Sequence, residues 1–252
     1  MIHFVGAGCG APDLITLRGK RLLEEADVII YAGSLVNPEL LSWKKESCTV
    51  FNSAKMTLEE VFTVMLEAEK ENKTTVRLHT GDPSIYGAVR EQMDLLDEAG
   101  IEYDVCPGVS AMNGAAAALK MEYTLPDVAQ SVVITRMAGR TPVPERESIR
   151  SFAAHRTTMV LFLSAGLLEK AAEELIAGGY DAKTPAAIVY KASWPDEKSF
   201  LCTIDTMAAC ARENEVTKTA LIVVGDAVKQ SGYRRSDLYN PAFSTEFRPA
   251  KE

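Results

Sequence analysis

A single turn, Gly81-Asp82-Pro83, constrains this chain more than any other stretch, because it joins a β-rich run to a helical pattern. The run covers residues 75–80, and apolar residues at helical spacing follow from Ser84. Glycine permits backbone angles and close approaches that other residues do not, and Pro83 fixes its own φ for a first helical turn. The pattern predicts a strand, a tight turn and a helix that begins at Ser84, with Asp82 or Ser84 as its cap.

Two interpretations of this turn remain open on spacing alone. A strand-to-helix turn lies at the carboxyl end of a strand, where open α/β sheets bind their ligands. The alternative is a capped βα loop without a ligand, since such loops are short and common.

A second glycine-rich turn, residues 6–12, follows the first predicted strand and precedes a predicted helix over residues 13–26. Gly6, Gly8 and Ala11 have the spacing of a dinucleotide fingerprint, which would indicate a nicotinamide-dependent oxidoreductase. The next predicted strand, residues 28–31, ends without the acidic residue that would hold a ribose hydroxyl. We therefore favour a turn that lets backbone or a bulky ligand approach, and keep the oxidoreductase as the alternative.

Strands and helices alternate along the first half of the chain, which predicts an α/β domain with a mostly parallel sheet over residues 1–121. Its clearest helix, residues 57–71, carries a capping box of Thr57 and Glu60. A third glycine turn, residues 107–111, opens a small-residue helix. Residues 122–252 are expected to form a second α/β domain with a mixed sheet.

Composition excludes several classes of protein. The net charge of −8 and the lack of a long basic run argue against nonspecific nucleic-acid binding, so an anionic substrate would have to meet local cations. The apolar runs are too short to cross a bilayer, and no signal peptide is visible. Five cysteines without a CxxC pair suggest neither a zinc site nor a disulfide framework. We expect a soluble, cytoplasmic, reduced protein.

The search for catalytic sets is mostly negative. The three histidines, His3, His79 and His155, lack metal-ligand spacing, and no P-loop, HExxH or nucleophile motif is present. If the chain is an enzyme, its chemistry depends on positioning two bound molecules, with the reactive group supplied by a cofactor.

Three motifs in this order and spacing, GAGCGAPDLITLRG, LHTGDPSIYG and CPGVSAMNGAAAAL, resemble those of the tetrapyrrole methyltransferases. This S-adenosylmethionine-dependent family serves cobalamin and sirohaem synthesis. Within it, YAGSLVNPELL and TRMAGRTPVPERE resemble the branch that methylates C11 of precorrin-4 or cobalt-precorrin-4. The resemblance covers residues 1 to about 228. It implies two α/β domains, a cofactor cleft between them, and a homodimer.

The resemblance also implies the cofactor contacts. They are, in chain order, Thr80, Gly81, Asp82, Ile85, Ser110, Ala111, Leu163, Ala192 and Ala220. The last three are expected in the second domain. The contact near Leu163 falls between Leu163 and Ala165, because this chain has one more residue between Phe162 and Gly166 than relatives with FYMG. The family's 6–10 turn faces the tetrapyrrole, which makes Gly8 and Gly10 substrate residues, with Ser34 beside them.

The carboxylates of a tetrapyrrole require local cations in a net acidic protein. The first candidates are Arg136, Arg140 and Arg146, and the second choices are Arg18 and Lys20. The alternative for each is an ordinary solvated charge. We name no general base, and we expect no protein metal site; any cobalt would arrive inside the substrate.

Overall fold

The computed structural model describes residues 1–33 and 35–250. Their packing divides the chain into two compact units. Unit 1 comprises Met1–Gly114 and the segment Lys191–Glu197, and unit 2 comprises Ala115–Tyr190 and the chain from Lys198. This division falls before the predicted boundary after residue 121, and it assigns the 191–197 segment to unit 1, because that segment packs on the turn after the first strand.

Unit 1 is built on a five-stranded sheet in the described part of the chain, with the order β3-β2-β4-β1-β5 and every pair parallel. Its strands are β1 (Ile2–Gly6), β2 (Val28–Tyr31), β3 (Thr49–Asn52), β4 (Thr75–His79) and β5 (Tyr103–Cys106). Its helices are α1 (Leu17–Glu25), α2 (Leu58–Lys70) and α3 (Arg90–Glu98), and α4 (Ala111–Leu119) begins here. Short 3-10 helices cover Pro12–Leu14, Pro38–Trp43 and Ser53–Lys55.

The three central strands of this sheet, β2, β4 and β1, are buried on both faces, which explains why β1 and β2 are mostly apolar without alternation. On one face, α1 packs Leu22 and Leu23 against Val76 and Leu78 of β4. On the other face, α2 and α3 pack against β1 and β2 in a second core: Ile2, Phe4, Val28, Ile30, Val61, Met65, Met93 and Leu96.

Unit 2 contains a mixed five-stranded sheet among its described residues, in the order β6-β7-β10-β8-β9. The strands are β6 (Val132–Arg136), β7 (Thr158–Phe162), β8 (Pro185–Tyr190), β9 (Lys198–Thr203) and β10 (Ala220–Val224). Only β6 and β7 pair in parallel among these strands. The helices are α5 (Ile149–Ala153), α6 (Leu168–Gly178) and α7 (Met207–Glu213), with 3-10 helices at Glu145–Glu147, Ala165–Leu167, Asp226–Lys229 and Asp237–Tyr239.

Local sequence signals set many element ends. The predicted capping box is confirmed, since Thr57 Oγ1 accepts from the Glu60 N–H and the Glu60 carboxylate accepts from the Thr57 N–H. The helix α3 ends before Gly100, which has φ 66°. Glycine takes this left-handed conformation without steric penalty.

Two predicted helix starts are wrong. The helix predicted from residue 13 begins at Leu17, where Thr16 Oγ1 caps it by accepting from the Gly19 N–H. The helix predicted from Ser84 begins at Arg90. Tyr86 and Ala88 have φ of 53° and 50°, and left-handed residues cannot be part of a right-handed helix.

Within residues 1–33 and 35–250, none of the helices combines the length and apolar character needed to cross a membrane.

Candidate active site

Three glycine-containing turns meet at one edge of the unit 1 sheet. They follow β1, β4 and β5 at residues 6–10, 80–82 and 107–111, and we call them the three-turn site. The strands β4, β1 and β5 are adjacent and parallel, so their carboxyl ends share an edge. Such an edge is where open α/β sheets bind ligands.

The backbones in this site approach too closely for side chains. A Cβ added to Gly6 would lie 2.5 Å from the Gly108 Cα and 2.7 Å from the Gly81 carbonyl oxygen. A Cβ on Gly108 would lie 2.2 Å from the same oxygen. Gly81, at φ 61°, donates its N–H to the Gly8 carbonyl at 2.8 Å and accepts the Gly8 N–H at 3.2 Å. Glycine is therefore needed at 6 and 108 for steric reasons.

Asp82 links two of the turns. Its Oδ2 accepts the Gly108 backbone N–H at 2.8 Å, and its Oδ1 accepts the Ser84 N–H at 2.9 Å together with the Ser84 hydroxyl. Partial burial by itself would raise the pKa of Asp82, but the hydrogen bonds from Ser84 and Gly108 outweigh it and lower the pKa below the ordinary value. Because α3 begins only at Arg90, the predicted role of Asp82 or Ser84 as its cap is wrong. The carboxylate is an ionised cross-link between turns.

The 191–197 segment packs against the first turn. Ser193 Oγ accepts the Ala11 N–H at 3.0 Å and lies 3.3 Å from Cys9 Sγ. A Cβ on Gly10 would lie 2.3 Å from Cδ1 of Trp194 and 2.8 Å from the Ala192 carbonyl oxygen. The structure thus places Ala192 in unit 1, next to the turn at residues 6–10, although the sequence assigned it to the second domain.

Two residues that support the turn at residues 6–12 were not identified from the sequence. The buried Asn37 donates its side-chain N–H to the Gly10 carbonyl at 2.9 Å, and Ser193 holds Ala11. Asn37 lies inside the YAGSLVNPELL motif, so a signal was present. Ser193 carries no such signal, because its partner is 182 residues away in the chain. The substrate candidate Ser34 lies outside the described residues.

His79 ends β4 immediately before Thr80. It is 4% exposed, its Nε2 has no hydrogen-bond partner in the described part of the chain, and its ring stacks on Phe4 with centroids 6.4 Å apart. Burial, helped by the nearby charge of Arg77, lowers the pKa of His79 to about 3. The imidazole is therefore neutral at physiological pH and belongs to the core behind the site.

In unit 2, the candidate cofactor residues stand at strand ends. Leu163 follows β7 at φ 51° and is 67% exposed, while the next residue, Ser164, is buried. The Ser164 hydroxyl donates to the Phe162 carbonyl at 2.7 Å and accepts the Met137 N–H at 2.9 Å. Ala220 is the first residue of β10.

Nine of the twelve left-handed residues other than glycine in the described part of the chain fall into two groups, and the other three are Asp127, Arg156 and Gln230. Asn72, Lys120 and Glu215 directly follow helices, where such a residue ends the helix. A second group flanks the candidate cofactor residues Ile85, Leu163, Ala192 and Ala220: Tyr86, Ala88, Leu163 itself, Lys191, Ser193 and Thr219. Strained backbone of this kind concentrates at functional sites.

The candidate substrate arginines differ in their environments. Arg136 donates to the carbonyls of Met137 and Thr141, both at 3.2 Å, and of Pro142 at 2.7 Å, so it organises its own loop. Arg140 is exposed, and Arg146 is exposed with an ion pair to Glu147 at 3.3 Å. These three arginines belong to unit 2, whereas Gly8 and Gly10 belong to unit 1.

The two second-choice cations for substrate binding, Arg18 and Lys20, lie on α1 of unit 1. Arg18 is exposed, whereas Lys20 pairs with Glu24 at 2.7 Å and lies 5.5 Å from the Trp43 ring. No group of His, Cys, Asp and Glu in the described ranges is arranged to hold a metal ion.

Comparison with known proteins identifies the fold and the motifs together. Residues 1–208 match the family described as Tetrapyrrole (Corrin/Porphyrin) Methylases. The chain belongs to this family. Two individual members match it over nearly its whole length. The cobalt-precorrin-4 C(11)-methyltransferase of Methanocaldococcus jannaschii is 51% identical over 98% of this chain and 95% of its own. The crystal structure of a cobalt precorrin-4 methyltransferase superimposes with a TM-score of 0.88 at 45% identity, covering 90% of this chain and 95% of that one.

A more distant family member adds a bound molecule. The uroporphyrin-III C-methyl transferase of Thermus thermophilus, complexed with S-adenyl homocysteine, has a TM-score of 0.77 at 27% identity, covering 91% of this chain and 99% of that one. The predicted fold class, with two α/β sheets of the tetrapyrrole methylase type, is confirmed by these likenesses. The nicotinamide-dependent alternative loses its basis, because the 6–12 turn lies within the residues that match this methylase family.

Proposed function

We propose that this chain is an S-adenosylmethionine-dependent methyltransferase that methylates C11 of cobalt-precorrin-4, or of precorrin-4 without cobalt, in cobalamin biosynthesis. The observation that carries the proposal is the 51% identity to the Methanocaldococcus jannaschii enzyme, which extends over nearly the full length of both chains. Any cobalt is part of the substrate.

The three-turn site contains five of the proposed cofactor contacts, namely Thr80, Gly81, Asp82, Ser110 and Ala111. A sixth, Ile85, follows the turn at residues 80–82. S-adenosylmethionine, when bound, supplies a methyl group on a positively charged sulfur. The residues fit such a cation, since segments 80–85 and 107–111 contain no Lys or Arg and Asp82 is held ionised. Gly81 has no side chain, so the space in front of Ser110 and Ala111 stays open. A Cβ at this position would occupy that space, 3.5 Å from the Ala111 nitrogen.

The remaining proposed cofactor residues are Ala192 of unit 1 with Leu163 and Ala220 of unit 2. Of the positions from 163 to 165, Leu163 fits best. It is exposed and left-handed, whereas Ser164 and Ala165 are buried.

The protein's part in the reaction is positioning. In-line transfer to an electron-rich ring carbon needs alignment and exclusion of water more than a strong base. The buried His79 is neutral and closed off, and Asp82 has its oxygens occupied by Ser84 and Gly108. Neither residue is therefore proposed as a proton acceptor.

Substrate binding is proposed at Gly8, Gly10 and Ser34 and at Arg136, Arg140 and Arg146. The macrocycle carries several carboxylates, which guanidinium groups bind through charge-assisted hydrogen bonds. Arg140 is the candidate with the most freedom, because Arg136 holds its own loop and Arg146 pairs with Glu147. We further propose that the protein is a homodimer, which sedimentation velocity would test.

Methyl transfer itself provides the test. The protein is incubated with labelled S-adenosylmethionine and, separately, with precorrin-4, its cobalt form and earlier intermediates. We expect one labelled methyl at C11 of a precorrin-4 form. Label on another intermediate but on neither precorrin-4 form would contradict the proposal and favour a different ring carbon. Calorimetry with S-adenosylhomocysteine and with NAD distinguishes the methyltransferase from the oxidoreductase alternative. An oxidoreductase would bind NAD and not S-adenosylhomocysteine.

A further inference from the structure

We propose that a buried hydrogen-bond chain from Arg77 through Gln92 to the Ala88 carbonyl shapes the segment after the cofactor turn for cofactor binding. The inference rests on the proposed function, since it assigns positioning residues to the same site. This hydrogen-bond chain lies within unit 1 and connects β4, α3 and residues 83–89.

Arg77 is an unusual residue for its surroundings. It lies in the middle of β4, is 5% exposed, and points to the face packed with Ile2, Phe4, Met65 and Leu96. Burial lowers its pKa to about 10, so the guanidinium remains charged at neutral pH. No carboxylate forms an ion pair with it among the described residues. Burying an unpaired cation is costly, and an apolar residue would fill this core more favourably.

The hydrogen bonds of Arg77 suggest what offsets this cost. Its Nε donates to Gln92 Oε1 at 2.9 Å, and Nη1 donates to the Ile30 carbonyl at 3.2 Å. Gln92 is 6% exposed and donates its Nε2 to the Ala88 carbonyl at 2.8 Å. A guanidinium can only donate, so it forces the amide oxygen of Gln92 to face it. The amide N–H groups of Gln92 must then face Ala88.

The segment held in this way is strained. Tyr86 and Ala88 are left-handed, and a Cβ on Gly87 would lie 2.1 Å from the Pro83 carbonyl oxygen. Such conformations persist only when surrounding contacts impose them. At its start the segment is fixed by Asp82, which is bonded to Gly108 and Ser84, and at its end by Gln92. The proposed cofactor residue Ile85 lies between the two anchors.

One substitution separates positioning from stability. In Gln92→Glu the carboxylate can pair with Arg77 but cannot donate to Ala88. We expect the thermal midpoint of unfolding to stay within about 2 °C of the parent or to rise. The dissociation constant for S-adenosylhomocysteine and the KM for S-adenosylmethionine should increase about tenfold, the scale of one lost hydrogen bond. The KM for the tetrapyrrole and kcat at saturation should change less than twofold.

Two further variants complete the experiment. The double variant Arg77→Met with Gln92→Met replaces the buried hydrogen-bond chain by apolar side chains. It should fold even if Gln92→Glu does not, and it should show the same loss of cofactor affinity. Thr75→Val is the matched control. Thr75 is buried on the same face of β4, and its Oγ1 has no hydrogen-bond partner among the residues described, so cofactor affinity should be unchanged.

The outcomes distinguish this inference from the proposed function. If the parent protein does not bind S-adenosylhomocysteine, the proposed function fails. The positioning role is overturned if the parent binds S-adenosylhomocysteine and both Gln92→Glu and the double variant bind it as tightly as the parent. It is also overturned if Thr75→Val weakens binding as much as those two variants do.

Discussion

A carboxylate oxygen of Asp82 accepts the backbone N–H of Gly108 at 2.8 Å, and this bond passes over the end of a third strand. Asp82 follows β4 and Gly108 follows β5, whereas β1 lies between them in the sheet. The bond is possible because Gly6, the last residue of β1, has no side chain. A Cβ there would meet both the Gly81 oxygen and the Gly108 Cα. One charge and two glycines therefore fix the geometry of the three-turn site.

Replacing Asp82 should weaken cofactor binding. Asp82→Ala removes the acceptors for Gly108 and Ser84 and the negative charge, and we expect S-adenosylhomocysteine to bind about 1–3 kcal/mol more weakly by calorimetry. Asp82→Asn keeps the shape and one acceptor oxygen and should lose less. Unchanged affinity in a folded Asp82→Ala protein would reduce the residue to a loop-ordering role.

Adding one methyl group at Gly108 should disrupt the site. In Gly108→Ala the new Cβ would lie 2.2 Å from the Gly81 oxygen, so the turns must separate. We expect a loss of about 1–3 kcal/mol in the free energy of unfolding in urea, together with loss of S-adenosylhomocysteine binding. Gly100→Ala is the control, because Gly100 has φ 66° but nothing within 4 Å of a Cβ. It should lose only about 1 kcal/mol, with normal binding. Equal binding defects in both variants would mean that strain at a turn, rather than contact within the site, is responsible.

Much of unit 1 could be predicted because its signals are local. The glycine turns, the Thr57 capping box and the stop at Gly100 each depend on residues within a few positions of one another. The start of α3 could not be predicted in this way. Tyr86 and Ala88 have ordinary propensities, and their left-handed backbone is imposed by tertiary contacts such as the bond from Gln92 to Ala88.

The candidate site follows the same division. The turns at 80–82 and 107–111 could be predicted from their motifs, and the sheet order places them at one edge. The contact of Ser193 with Ala11 joins residues 182 positions apart, and no periodicity indicates it. Arg136 was selected for its charge alone, and the carbonyls that occupy it are a property of the folded loop.

The arginines should separate loop order from substrate binding. Arg140→Ala removes an exposed cation and should raise the KM for the tetrapyrrole about tenfold, while the KM for S-adenosylmethionine stays constant. Arg136→Ala should raise the same KM and also make the loop at residues 137–142 more open to limited proteolysis, because three carbonyls lose their donor. Arg212→Ala is the control, because it removes an exposed cation of α7 that pairs with Glu169 of α6. If the tetrapyrrole KM is unaffected by Arg136→Ala and Arg140→Ala, these arginines are solvated charges.

His79 should make the protein sensitive to acid. Its folded pKa is about 3 while the unfolded value is near 6.5, so between these values the unfolded chain binds the extra proton. Stability is therefore lost as pH falls through this range. We expect the free energy of unfolding to drop between pH 7 and pH 5 by about 2 kcal/mol more in the parent than in His79→Gln, which cannot titrate. The two proteins differ only at residue 79, so the difference between them reports on this imidazole. Parallel pH dependence of the parent and His79→Gln would show that the buried ring does not resist protonation.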